Sequence, residues 1–185
     1  MTEPSSIVIV TGSPTRPSRT TGLAQLVGQR LSRDAFRVRV LHVRDLPAEA
    51  LLHADFSHPD IQRASQWVAQ ADGVILVSPV YKAAYTGMLK AFIDILPQFA
   101  LRDKVVLPLQ VGGTLAHVLA IDYAMRPMLQ SLDPRLIVSG LFMLDKTIEV
   151  GADGVTLFPD VDSRLEQVTQ TFIEGLRAHA MRTRC

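Results

Sequence analysis

Residues 7–21 read I-V-I-V-T-G-S-P-T-R-P-S-R-T-T, an unbroken apolar tetrapeptide running into a loop of hydroxyl and guanidinium groups. Ile7, Val8, Ile9 and Val10 show no polar alternation, so both faces of this extended segment must be covered, which places it centrally in a parallel sheet. Gly12 is expected to permit a tight turn. Ser13, Ser18, Thr20 and Thr21 bring hydroxyls, Arg16 and Arg19 bring positive charge, and residues 23–31 continue with helical spacing. A helix start has unpaired N–H groups and the positive end of the macrodipole, so the loop suits a phosphate monoester. The plainer alternative is a strand-to-helix turn with a Ser/Thr cap.

Two nucleotide signatures are excluded by spelling. G-x-x-x-x-G-K-[ST] is absent, because Ser18 and Arg19 stand where its Lys would be, and G-x-G-x-x-G fails at Pro14. Neither an ATPase loop nor a dinucleotide-gripping Rossmann turn is therefore expected.

The chain has 185 residues, 48% of them hydrophobic, enough for one sizeable core and short for two, so residues 1–185 are expected to form a single domain. The net charge of +1 comes from Lys and Arg spread along the chain, which offers no footprint for nucleic acid and tells against an acidic electron carrier. The one cysteine, Cys185, excludes an internal disulfide or a multi-thiolate metal site. With no signal-like start at residues 1–6 and no run of about 18 apolar residues, a cytoplasmic location is expected, without membrane attachment.

Further along, residues 37–43 alternate as a strand with one polar face, 46–59 read as irregular, and 61–71 return to helical spacing. Residues 74–77 form another fully apolar strand, 86–96 a helix ended by Pro97, and 104–109 a fourth strand. A helix is expected over 115–132, a strand over 136–139, a polar stretch around 151–154 and a last helix over 163–181. This alternation implies parallel pairing with right-handed crossovers. The expected fold is α/β: a flavodoxin-like, doubly wound, five-stranded parallel sheet of order 2-1-3-4-5 with helices on both faces. Ligands of such sheets bind beyond the carboxyl ends of the strands, so the loops after the first, third and fourth strands should converge.

The second of those loops is S-P-V-Y-K-A-A-Y. Pro79 restricts the backbone, Tyr81 offers an aromatic face, and N–H groups of Val80 to Lys82 can meet the acceptor-rich edge of a flavin, with Lys82 adding charge. The alternative is that Tyr81 and Tyr85 pack on the next helix and Lys82 is solvated. The third loop holds Gly112, Gly113 and Thr114, whose paired glycines let a ligand approach the backbone.

Taken together, G-S-P at Gly12, S-R-T-T at Ser18, S-P-V-Y-K-A-A-Y-T-G at Ser78, K-V-V-L-P-L at Lys104 and G-G-T-L-A-H-V-L-A-I-D-Y-A at Gly112 resemble the NADPH-dependent FMN reductases. Within that family the likeness is strongest to the reductase component of alkanesulfonate monooxygenase systems, and it spans residues 7–144. The resemblance implies that Ser13, Arg19, Thr20 and Thr21 hold the FMN phosphate. It further implies that Pro79, Val80, Tyr81 and Lys82 line the isoalloxazine while Gly112, Gly113 and Thr114 close its other edge. It also implies a homotetramer, and a flavin-dependent monooxygenase as the partner that receives reduced FMN. Tyr123, in D-Y-A, matches a tyrosine that sits in a π-bulge at the tetramer interface of the sulfonate-linked reductases, and such widenings gather at functional positions. A packing tyrosine is the alternative, and His117 reads as a helix or interface histidine.

Hydride transfer from NADPH to FMN needs stacking and no acid, base or nucleophile from the protein. This agrees with the absence of G-x-S-x-G, H-E-x-x-H and C-x-x-C, so no catalytic side chain and no metal ligand is assigned. Arg16 or Arg102 is a candidate for the 2′-phosphate of NADPH. Two other readings stay open: a quinone or azo-dye reductase that retains FMN, and a non-enzymatic flavodoxin-type carrier.

Overall fold

The computed structural model describes residues 4–152 and 154–182; the expectations attached to Cys185, to residues 1–3 and to Asp153 lie outside them. Its elements are β1 (Ser6–Thr11), α1 (Arg19–Arg33), β2 (Arg37–His42), α2 (Ala48–Leu52), α3 (Pro59–Ala69), β3 (Gly73–Pro79), α4 (Gly87–Asp94) and β4 (Val105–Gly112). They continue with α5 (Arg126–Gln130), β5 (Leu136–Ile137), β6 (Leu141–Leu144), β7 (Ile148–Gly151), β8 (Gly154–Leu157) and α6 (Pro159–Arg182). The main sheet runs β2-β1-β3-β4-β5, with β6 also paired to β4 and every pairing parallel. This is the expected flavodoxin-like order.

Alternate residues of the central strands enter opposite layers, as the strand period of two requires. Ile7, Ile9, Ile75, Leu107 and Leu109 pack under α1 and α6 with Leu23, Val27, Phe172 and Leu176. Val8, Val10, Val74, Leu76 and Val106 pack against α3, α4 and α5 with Ile61, Val68, Phe92 and Leu129. Among the described residues, no helix is long and apolar enough to cross a membrane.

Four expectations are corrected. The fifth strand is split, because Pro108 sits in the centre of β4 without an N–H to donate, and Gly140 passes so close that a Cβ there would stand 2.6 Å from the Pro108 carbonyl. β5 and β6 therefore pair on either side of the proline. Gly151 and Gly154, from the stretch expected to be merely polar, pair in an antiparallel hairpin, β7–β8, whose Val155 packs on Gly22 of α1. The irregular segment 46–59 contains the short α2. The single helix expected over 115–132 is instead a 3₁₀ turn (Leu115–His117), a π-helix (Ile121–Met125) and α5.

Candidate functional site

The loop after β1 leads into α1 through Ser18, whose side chain accepts the Thr21 N–H at 3.2 Å and so caps the helix. Ser13, buried, lies with its Oγ 2.6 Å from the Ser18 Oγ. That pair consumes one of two hydroxyl protons and leaves the other for a ligand. Thr20 and Thr21 are buried, and the first turn of α1 carries no acidic residue. Arg19 is exposed and donates from Nε to the Ile148 carbonyl at 3.0 Å, which ties the helix start to β7. Four hydroxyls, a helix N-terminus and cationic side chains form a donor set suited to a phosphate dianion. A cavity of about 380 Å³ opens beside it, lined by Ser18, Thr21, Gln25, Arg44 and Val155 among others. A different cavity, of about 220 Å³, lies at the amino ends of β1 and β2 beside Trp67, away from these loops.

Two of the residues that shape this loop were not singled out from the sequence, and one of them, Arg44, carried no local signal there. Arg44, just past β2, reaches across to donate from Nη1 to the Thr15 carbonyl and, at 3.2 Å, to the Thr21 hydroxyl. Burial, and then the nearby Arg16, lower its pKa from the ordinary arginine value. Thr86, the N-cap of α4, donates its hydroxyl to the Gly12 carbonyl at 2.7 Å. The threonine-glycine pair ahead of an apolar helical run was the available clue to Thr86.

The three loops are joined by hydrogen bonds. Gly12 N–H donates to the Val77 carbonyl at 2.9 Å, Thr86 N–H to the Ser78 hydroxyl at 3.1 Å, and Val80 N–H to the Val111 carbonyl at 2.8 Å. Pro79 ends β3, and Tyr81 is about half exposed beyond it. Lys82 and Ala83 have φ of 50° and 62°, and Tyr81 and Ala84 bond to each other across them, closing a tight turn.

That geometry narrows the expectation that N–H groups of Val80 to Lys82 can meet a ligand edge. Val80 N–H is spent on Val111 and Tyr81 N–H on Ala84, leaving the Lys82 N–H and side chain. Gly12 is required for a different reason from the one expected: a Cβ there would stand 2.7 Å from the Leu89 Cβ. Gly112 likewise makes room for protein, since a Cβ would lie 2.7 Å from the Phe142 ring. Only Gly113 meets the expectation of an open approach, with Asp145 Oδ2 at 3.9 Å as its nearest neighbour. Thr114 is exposed and caps the 3₁₀ turn by accepting the Ala116 N–H at 3.3 Å.

Tyr123 stands in the π-helix, as its motif implied, and is 80% exposed, so packing within its own chain does not explain it. The π-turn is anchored to the site by Ile121, which packs with Val80, Ala120 and Phe142. Of the two arginines considered for a 2′-phosphate, Arg102 precedes β4 at the amino end of the sheet. There it pairs with Asp133 at 2.8 Å and lies over the Phe99 ring. Arg16 is in the loop after β1, paired with Asp45.

A doubly wound sheet with a phosphate-type loop and two further loops gathered at its carboxyl end defines a mononucleotide-binding flavodoxin-like protein. The model of the NADPH-dependent FMN reductase family matches residues 5–149, and the chain belongs to that family. It is 41% identical over 168 residues to an FMN reductase (NADPH) of Pseudomonas putida, covering 90% of this chain and 85% of that one. With an FMN reductase (NADPH) of Escherichia coli it shares 38% identity over 170 residues, covering 92% and 89%. Among solved structures it superposes on an apo NADH:FMN oxidoreductase with a TM-score of 0.83 at 43% identity, covering 91% and 88%.

Proposed function

We propose that this NAD(P)H-dependent FMN reductase binds FMN with its phosphate on Ser13, Arg19, Thr20 and Thr21, and passes the reduced flavin to a separate monooxygenase acting on sulfonates. The observation that carries the reading is the buried hydroxyl cluster at the start of α1, hydrogen-bonded through Gly12 and Thr86 to the loops that would face the ring. When bound, FMN accepts hydride from the nicotinamide ring and supplies the redox chemistry. The chain's own residues orient and shelter. Lys82 offers an N–H and a charge to the acceptor-rich edge, Gly113 leaves room for the ring, and Pro79, Val80, Tyr81, Gly112 and Thr114 wall it.

A homotetramer packed through the segment that holds Tyr123 fits the exposure of Leu115, Val118, Leu119 and Tyr123. The partner and the sulfonate role rest on the family likeness of the sequence. The test is steady-state kinetics with FMN as the varied substrate. A colourless protein that oxidises NADPH only after FMN is added, with sequential kinetics, supports the reading. A yellow protein that reduces quinones or azo dyes by ping-pong kinetics without added flavin overturns it.

A further inference from the structure

We propose that Arg44 is a positioning residue for the flavin phosphate: bonded to the Thr21 hydroxyl, it aims that hydroxyl at the phosphate and adds a largely covered positive charge beside the site. This rests on the reading of the loop as the FMN phosphate site. Arg44 Nη1 occupies a lone pair of Thr21 Oγ1 at 3.2 Å, so the threonine's own proton is directed elsewhere and seeks an acceptor. The same Nη1 donates to the Thr15 carbonyl and fixes the loop's path.

The charge around this guanidinium is unbalanced. Its side chain is only 11% exposed, its Nε is buried without a hydrogen-bond partner, and the nearest carboxylate, Asp45, is 3.8 Å away and half exposed. Asp45 is also the ion-pair partner of Arg16, so two guanidinium groups share one carboxylate. The loop's other arginine, Arg19, is bonded from Nε to a neutral carbonyl. A largely covered cation so poorly matched within the protein favours a dianion bound at the neighbouring hydroxyls. Arg44 lies 23 residues from Thr21 in sequence and in no motif, so only the packing of β2 beside β1 brings the two together.

The test compares binding of FMN and of riboflavin, which lacks the phosphate, by fluorescence titration of wild type, Arg44→Met and Arg44→Lys. Arg44→Met is expected to weaken FMN about tenfold while leaving riboflavin within about twofold, and Arg44→Lys to restore most of the loss. In turnover, KM for FMN rises in Arg44→Met and kcat holds. Equal weakening of both flavins, or no change for FMN, overturns the proposal. Should Arg44→Met not fold, Arg44→Gln decides the matter, since it keeps N–H donors and removes the charge: an FMN-specific loss of about threefold supports the proposal, and unchanged FMN affinity overturns it. Failure of wild type to bind FMN at all would sink the functional reading itself, a result distinct from a silent Arg44 substitution.

Discussion

The Thr86 hydroxyl donates to the Gly12 carbonyl across 2.7 Å while accepting the Leu89 N–H at 3.1 Å, so one buried oxygen caps α4 and holds the loop after β1 against it. Replacing Thr86 with Val keeps the volume and removes both bonds. A loss of about 1–3 kcal/mol in urea unfolding is expected, with Thr86→Ser close to wild type. FMN affinity should fall with it, since the loop proposed to hold the phosphate loses its tether; a variant of wild-type stability would refute the role given to this hydroxyl.

The adjacent glycines are expected to separate fold from site. Gly112→Ala places a methyl 2.7 Å from the Phe142 ring and should cost about 1–3 kcal/mol of stability. Gly113→Ala meets nothing closer than 3.9 Å, so its melting temperature should match wild type while its KM for FMN rises severalfold. Calorimetry and kinetics on the two variants check this, and the reverse pattern would exchange their roles.

His42, at the end of β2, has a pKa lowered from the ordinary histidine value by burial and then by the Arg44 charge, with Arg16 acting the same way and Asp45 against it. As the pH falls through about 6.5 the unfolded chain takes up a proton that the folded chain still refuses, so stability present above that pH is lost below it. The loss levels off once the pH passes the lower folded value. Urea unfolding between about pH 7.5 and pH 5 should therefore show a smaller decline in His42→Gln than in wild type. Parallel declines would show that His42 is not the group responsible.

Leu119 and Tyr123 are 52% and 80% exposed on the broken helical segment after β4. If this face joins subunits, a buried carboxylate there is intolerable, and Leu119→Glu should shift the sedimentation profile to a smaller species. An unchanged profile would place the interface elsewhere.

The unalternated strands 7–10 and 74–77 and the strands and helices that alternate along the rest of the chain were enough to expect the doubly wound sheet, because burial on both faces leaves uninterrupted apolar runs and helices leave a spacing of their own. The hydroxyls of the first loop and the widening at Tyr123 were legible too, the first from local chemistry and the second from a motif. What each group does was settled by neighbours far away in the chain. Phe142 and Leu89 explain Gly112 and Gly12, Val111 and Ala84 take the N–H groups of Val80 and Tyr81, and Arg44 reaches Thr21 only because β2 lies beside β1. Periodicity and cap chemistry are properties of a few consecutive residues, so the sequence alone determined the type and succession of the elements and the hydroxyl-rich composition of the first loop. Donor commitment, steric room and charge balance are set by contacts across the fold, and only the tertiary structure decided them.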